Sequence, residues 1–124
     1  MPEVLFLEYP KCSTCKKAKK WLDEHGVAYA DRHIVEDSPN AEELTRWIAK
    51  SGLPLRRFFN TSGMLYRELG VKARLDAGMP DEEAIELLAS NGMLVKRPLV
   101  VVDDGDAAVL VGFKEAAWAE ALLG

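Results

Sequence analysis

The apolar positions along the first third of the chain predict a β-α-β unit. A continuous apolar stretch within residues 4–9 predicts a buried strand. Residues 13–25 place apolar side chains at helical spacing, with lysines on the remaining positions, and Gly26 is expected to end this helix. Residues 27–34 predict a second strand. Within this stretch, one side of the strand would carry Val27, Tyr29 and Asp31, and the other side would carry Ala28, Ala30 and Arg32.

The middle of the chain is predicted to be helical. Residues 41–51 carry apolar side chains on one helical face. Residues 56–69 predict one or two short helices that break near Gly63 and stop at Gly70. A further helix is expected to begin with Asp81 as its N-cap and to end at Asn91.

The last part of the chain returns to strands. Two apolar runs, residues 99–102 and 108–111, flank an Asp-Gly turn signal within residues 103–106, which predicts a hairpin. Residues 115–123 then predict a closing helix.

This order of elements indicates an α/β fold that resembles the thioredoxin-like fold. A parallel β-α-β half and an antiparallel β-β-α half share a four-stranded mixed sheet, and a helical insertion of about residues 41–92 separates them. The chain of 124 residues has no repeat, low-complexity segment or linker. We therefore expect a single domain over residues 1–124.

Composition narrows the classes of partner. The net charge of −4 argues against a direct nucleic-acid partner, and 48% apolar residues suffice for an ordinary core. No stretch approaches the ~20 apolar residues of a membrane span, and the first residues lack the pattern of a secretory signal. We expect a cytoplasmic monomer without membrane contact.

The candidate chemistry lies in Cys12 and Cys15, which are the only cysteines and are separated by two residues. They fall between a predicted strand and a predicted helix, where the N–H groups of a helix start stabilise a thiolate. In a reducing compartment such a pair is catalytic, redox-sensing or metal-binding rather than a structural staple. We expect Cys12, the more exposed cysteine, to be the nucleophile and Cys15, one turn further on, to be the resolving thiol.

A bound metal or cofactor is not predicted. Zinc requires four ligands, and the only histidines, His25 and His33, stand at no common finger spacing from the cysteines. The chain also lacks a phosphate-binding glycine motif. Reducing equivalents would therefore come from outside, from glutathione or from a dithiol protein.

Three stretches carry a resemblance to a known family. Residues 9–18 (YPKCSTCKKA), the helical insertion 41–92 and residues 96–101 (KRPLVV) are similar to the arsenate reductase (glutaredoxin-type) and Spx/MgsR-like family, and the resemblance runs throughout the chain. It implies a thioredoxin-like fold with a cis peptide bond before Pro98, facing the reactive cysteine.

The resemblance also implies a set of site residues. Arsenate reductases of this family use one cysteine, matching Cys12, and three arginines that hold the oxyanion. Arg97 matches one arginine, whereas Asn60 and the Gly112-Phe113 step stand at the other two positions. A single planar cation holds a doubly charged oxyanion much less well than three, so weak or absent arsenate reduction is expected.

Four further residues are candidates for substrate binding. Ser13 and Thr14 either cap the helix or donate hydrogen bonds to a substrate, and capping is the favoured role. Lys16 adds positive charge beside the thiols, and Pro98 is implied by the resemblance.

Two functions therefore remain open. The first is a thiol–disulfide redox protein whose partners are thiol proteins or glutathione. The second is an Spx-like regulator that binds the RNA polymerase α-subunit, in which case Gly52 falls at the contact with the polymerase. Gly52 is equally explained as the end of a helix.

Overall fold

A computed structural model describes residues 3–103 and 108–123 of the chain. Four strands form one mixed sheet in the order β2-β1-β3-β4. β1 runs parallel to β2 and antiparallel to β3, and β3 runs antiparallel to β4. This topology confirms the predicted fold. The strands are β1 (Glu3–Glu8), β2 (Ala30–His33), β3 (Leu99–Asp103) and β4 (Ala108–Val111).

In the part of the chain that the structure describes, six α-helices surround the sheet, and α2 to α5 come between β2 and β3 in the chain. They are α1 (Ser13–Glu24), α2 (Ala41–Ser51), α3 (Met64–Glu68), α4 (Val71–Asp76), α5 (Asp81–Ser90) and α6 (Glu115–Leu122). Two 3-10 turns, Leu55–Phe58 and Gly92–Leu94, connect the helices of the insertion. Among the described residues, none of the helices has the length and hydrophobicity that a membrane span requires.

Several element boundaries differ from the sequence predictions. Helix α4 is absent from the sequence prediction, which ends the helical segment at Gly70. In the structure, the left-handed conformation of Gly70 (φ 60°) instead separates α3 from α4. Asp81 is not an N-cap: Pro80 holds that position in an extended conformation, and Asp81 is the first helical residue. Strand β2 begins only at Ala30, because Val27 donates its N–H to the Leu22 carbonyl and so closes the end of α1.

The predicted hairpin turn lies largely outside the described residues, which omit positions 104–107. The strands on either side are paired as expected, with Val102 opposite Ala108.

Each face of the sheet carries its own hydrophobic cluster. Phe6, Trp21 and Trp118 belong to the cluster under α1 and α6, whereas Leu7 and Trp47 belong to the cluster on the other face. Trp21, Trp47 and Trp118 are all buried in these cores. Phe58 and Phe59 are buried in the second cluster and offer no surface to a partner. This packing holds the β1–α1 connection between two cores.

Candidate active site

The two cysteines meet where β1 passes into α1. Cys12 occupies the N-cap position in an extended conformation, and Cys15 lies in the first turn of the helix. Cys12 is partly exposed, as expected for the attacking thiol, whereas Cys15 is fully buried, as expected for the resolving thiol. The two cysteines lie 3.4 Å apart and are free, so no disulfide bond joins them in this structure.

The surroundings of the two thiols shift their pKa values in opposite directions. Burial opposes ionisation of Cys12, yet its pKa lies below the usual value because several donors face the sulfur. These are the backbone N–H and the thiol of Cys15, the backbone N–H of Thr14 and the guanidinium of Arg97. Burial raises the pKa of Cys15 to about 12, and the neighbouring Cys12 adds to the rise. Cys12 is therefore the thiol that ionises first.

Arg97 reaches the thiols from the start of β3. The Arg97–Pro98 peptide bond is cis, as the resemblance implied, and Pro98 is buried. The guanidinium lies over the Tyr9 ring, 5.0 Å from its centre, and Nη1 donates to the Met93 carbonyl at 3.4 Å. These contacts hold the guanidinium where it can also donate to Cys12.

The two positions that lack the expected arginines lie close to Arg97. Asn60 Nδ2 donates to the same Met93 carbonyl at 3.5 Å. Gly112 lies at the same end of the sheet, since its N–H donates to the Pro98 carbonyl at 2.9 Å. A carboxamide and a glycine thus replace two cations in this part of the site.

A lysine that sequence reasoning missed stands beside Gly112. A Cβ atom built at Gly112 would lie 3.6 Å from Cε of Lys96. Lys96 adjoins Arg97 in the chain, which is the one signal that could have identified it. Its flexible ammonium group is a point charge without the fixed fork of an arginine.

The remaining predicted substrate-binding residues are exposed on the first turn of α1. The prediction that Ser13 or Thr14 caps the helix is wrong, because Cys12 itself is the N-cap and makes no capping hydrogen bond as a thiol. The helix-start N–H groups therefore remain available to the Cys12 thiolate. Within the described part of the chain, Lys16 makes no ion pair, and its backbone N–H donates to the Cys12 carbonyl.

The histidines have local roles. His33 Nδ1 accepts hydrogen bonds from the N–H groups of Val35 and Glu36 in the turn after β2. The His25 ring packs on Trp21 at 4.2 Å between ring centres. In residues 3–103 and 108–123, no three His, Cys, Asp or Glu side chains gather as metal ligands.

Sequence reasoning also missed a buried carboxyl group beneath α1. Glu8, at the end of β1, is 5% exposed, and its Oε2 accepts no hydrogen bond. Lys19 Nζ lies 3.4 Å from this oxygen and 2.7 Å from Asp31 Oδ2. Burial, together with the nearby Asp31, raises the pKa of Glu8 to about 7. The only sequence signal was an acidic residue at the end of an apolar strand.

A separate cavity of about 680 Å³ lies at the opposite end of the sheet. Its walls include the start of β1 at Glu3 and the start of β2 at Ala30. Neither cysteine lines it. None of its lining residues can carry out thiol redox chemistry.

Comparison with known proteins identifies the family. The ArsC family profile matches residues 7–121. The chain belongs to the ArsC family. Protein YusI of Bacillus subtilis is 57% identical over 110 residues, which cover 89% of this chain and 90% of YusI. The global transcriptional regulator Spx of Enterococcus faecalis is 28% identical over 106 residues, covering 86% of this chain and 76% of Spx.

Solved structures of ArsC relatives share the fold. An ArsC family related protein from Bacteroides fragilis superposes with a TM-score of 0.89 at 55% identity, covering 95% of this chain and 96% of the other. A possible arsenate reductase from Streptococcus mutans superposes with a TM-score of 0.81 at 43% identity, covering 92% and 93%. This member of the ArsC family thus has relatives described as regulators and relatives described as reductases.

Proposed function

We propose that the protein is a cytoplasmic thiol–disulfide oxidoreductase in which Cys12 attacks and Cys15 resolves. One observation carries the proposal: two free thiols lie 3.4 Å apart, one with a lowered and one with a raised pKa. The thiolate is the nucleophilic form of cysteine, so the difference assigns separate roles to the two residues.

The reaction begins when the Cys12 thiolate attacks one sulfur of a substrate disulfide. A mixed disulfide forms with that sulfur, and the other substrate sulfur leaves as a thiolate. Cys15 then gives its proton to the first substrate thiolate, which becomes a thiol, and the Cys15 sulfur attacks the Cys12 sulfur. The bond between Cys12 and the substrate breaks, and the second substrate sulfur leaves as a thiolate. Two electrons have passed to the substrate, and a Cys12–Cys15 disulfide remains.

An external thiol restores the dithiol form. Two glutathione molecules or one dithiol protein supply the two electrons and become a disulfide themselves. Arg97 acts in both half-reactions, because its positive charge stabilises the thiolate form of Cys12.

The Cys15→Ser variant tests this mechanism. Without the resolving thiol, the mixed disulfide at Cys12 should accumulate and capture thiol proteins that a reductant releases. Non-reducing peptide mapping of the mildly oxidised wild type should find a Cys12–Cys15 disulfide. Two freely alkylatable cysteines after oxidation would refute the proposal.

A redox-sensitive transcriptional regulator is the second candidate, and the similarity to Spx favours it. The partner would be the RNA polymerase α-subunit, with a contact at Gly52, which is exposed at the end of α2 with φ 69°. The same Cys15→Ser capture distinguishes the two functions. Recovery of RNA polymerase with and without reductant would support the regulator and overturn the enzyme.

A further inference from the structure

A groove near the thiols has a local excess of positive charge, whereas the chain as a whole has a net charge of −4. Two adjoining cavities of about 440 and 520 Å³ share Thr61, Tyr66 and Lys72 as lining residues. Together they form one channel between the turn Leu55–Phe58 and helices α3 and α4. We call it the basic groove, and its principal residues are Arg56, Arg57, Thr61, Tyr66, Arg67 and Lys72.

The charges of the basic groove do not cancel. Asp76 is the acidic residue in its lining, and its carboxylate binds both Arg56, at 2.6 Å, and Lys72, at 2.9 Å. In the described part of the chain, the exposed Arg57 and Arg67 make no ion pair. Four cations against one carboxylate leave a local excess of positive charge in a protein whose net charge is −4.

The basic groove lies next to the thiols. Thr61 directly follows Asn60, whose amide group donates to the carbonyl that Arg97 also binds. Arg97 in turn faces Cys12. The end of the groove at Thr61 is therefore linked to Cys12 through Asn60, the Met93 carbonyl and Arg97.

The walls of the basic groove suit a peptide. The Tyr66 ring packs on Phe59, with 6.0 Å between ring centres, and Pro54 lines the groove on the other side. Outside this lining, Met64 at the start of α3 is 75% exposed. Apolar surface next to guanidinium groups favours a chain with both aliphatic and carboxylate side chains over a uniformly charged polymer.

We propose that the basic groove binds an acidic segment of a protein substrate and so directs a neighbouring substrate disulfide to Cys12. The proposal rests on the proposed oxidoreductase function and specifies its substrate class. Arg57 and Arg67 would pair with Asp or Glu side chains of the substrate, since a guanidinium matches a carboxylate in two parallel hydrogen bonds. Long-range attraction would also raise the rate of encounter at low salt.

The experiment measures second-order rates of disulfide reduction by the full-length reduced protein. The substrates are three disulfide-linked peptide homodimers, whose cysteine is flanked by Glu, Ser or Lys residues. At low salt we expect the Glu-flanked peptide to react about fivefold to tenfold faster than the Ser-flanked one, and added salt should reduce this ratio. In the double variant Arg57→Glu/Arg67→Glu the ratio should fall to about one or below.

A matched control uses two exposed cations elsewhere. The double variant Arg46→Glu/Lys50→Glu on α2 changes the net charge by the same amount and should keep the wild-type ratio. Equal loss of the ratio in both double variants would overturn the proposal, as would a wild-type ratio near one at low salt. An oligonucleotide that binds the groove more tightly than the Glu-flanked peptide would overturn it in favour of a nucleic-acid ligand.

Failure of the underlying function would look different. If the wild type and the Cys12→Ser variant reduce the Ser-flanked peptide equally slowly, the thiol chemistry itself is absent, and both proposals fall. If the wild type alone reduces the Ser-flanked peptide but shows no charge preference, only the assignment of the basic groove fails.

Discussion

Cys12 and Cys15 are three residues apart, yet their sulfur atoms have different surroundings. Two backbone N–H groups and the Arg97 guanidinium face the Cys12 sulfur and favour its thiolate form, whereas Cys15 is buried without a comparable set of donors. In the Cys15→Ser background we expect the Cys12 pKa to lie below ~8.5, the value of a free thiol. Thiolate absorbance against pH measures it.

Substitution of Arg97 provides the control for this pKa. Arg97→Gln removes the positive charge and should raise the Cys12 pKa, whereas Arg97→Lys should keep part of the effect. A Cys12 pKa at or above ~8.5 in the Cys15→Ser variant would contradict the role of Cys12 as the attacking thiolate.

Glu8 predicts a dependence of folding stability on pH. Its pKa rises from 4.5 to about 7 on folding, so the folded state binds more protons than the unfolded state between these values. The free energy of unfolding should fall as the pH rises through this window and level off above about 7. At ~1.4 kcal/mol per pKa unit, the loss is on the order of 3 kcal/mol. Lys19 and Asp31 stay charged over this pH window, because the pKa of Lys19 lies above the window and the pKa of Asp31 lies below it.

The Glu8→Gln variant tests this dependence by urea unfolding at pH 5 and pH 8. In Glu8→Gln, the free energy of unfolding should no longer show the decline between pH 5 and pH 8 that Glu8 causes. The matched variant Glu3→Gln, at the exposed start of β1, should show the same decline as the wild type. The same decline in Glu8→Gln as in the wild type would show that Glu8 does not titrate in this window.

At the scale of elements, the 3-10 turn Gly92–Leu94 sets how the insertion rejoins the sheet. A Cβ atom at Gly92 would lie 1.9 Å from the Ile34 carbonyl oxygen, which belongs to the backbone after β2 and cannot turn aside. Gly92→Ala should therefore cost about 3 kcal/mol or more of unfolding free energy, at the upper end of overpacking effects. Thermal or urea unfolding of the purified variant measures it.

Gly52→Ala is the matched control for Gly92→Ala. A Cβ atom at Gly52 meets nothing within 4 Å, and only the left-handed conformation (φ 69°) opposes it. Its cost should be about 1 kcal/mol. Equal costs at the two positions would mean that the backbone after β2 moves aside for the added methyl group.

At the scale of the whole molecule, the number of cations around Cys12 predicts the response to arsenate. A doubly charged oxyanion beside a thiolate requires several preorganised cations, and here Arg97 is joined by the uncharged Asn60 and by Gly112. A coupled assay with glutathione, glutaredoxin and an NADPH-dependent reductase should find turnover far below the ~1–10 s⁻¹ typical of a dedicated enzyme.

The Asn60→Arg variant extends the arsenate assay. It restores one planar cation beside the Met93 carbonyl and should raise any residual turnover. Wild-type turnover of several per second would show that Lys96, or the arginines of the basic groove, replace the missing cations.

The amino-acid sequence by itself determined the order of the strands and most of the helices, because those features depend on local periodicity and on single residues. Helix α2 and strand β4 have the predicted bounds. The apolar run before the two cysteines and the helical pattern after them placed both thiols at a helix start. Local signals failed where two short helices meet at Gly70, since a glycine at the end of one helix also precedes the next.

Only the tertiary structure decided which distant side chains share the site. Asn60 and Arg97 meet at one carbonyl group although 37 positions separate them in the sequence, and the Glu8 carboxyl lies near Asp31 across two strands. Such contacts depend on strand pairing and on packing of the insertion, which no single stretch of sequence encodes. For the same reason the basic groove, with Arg57 and Lys72 from separate elements, became visible only in the folded chain.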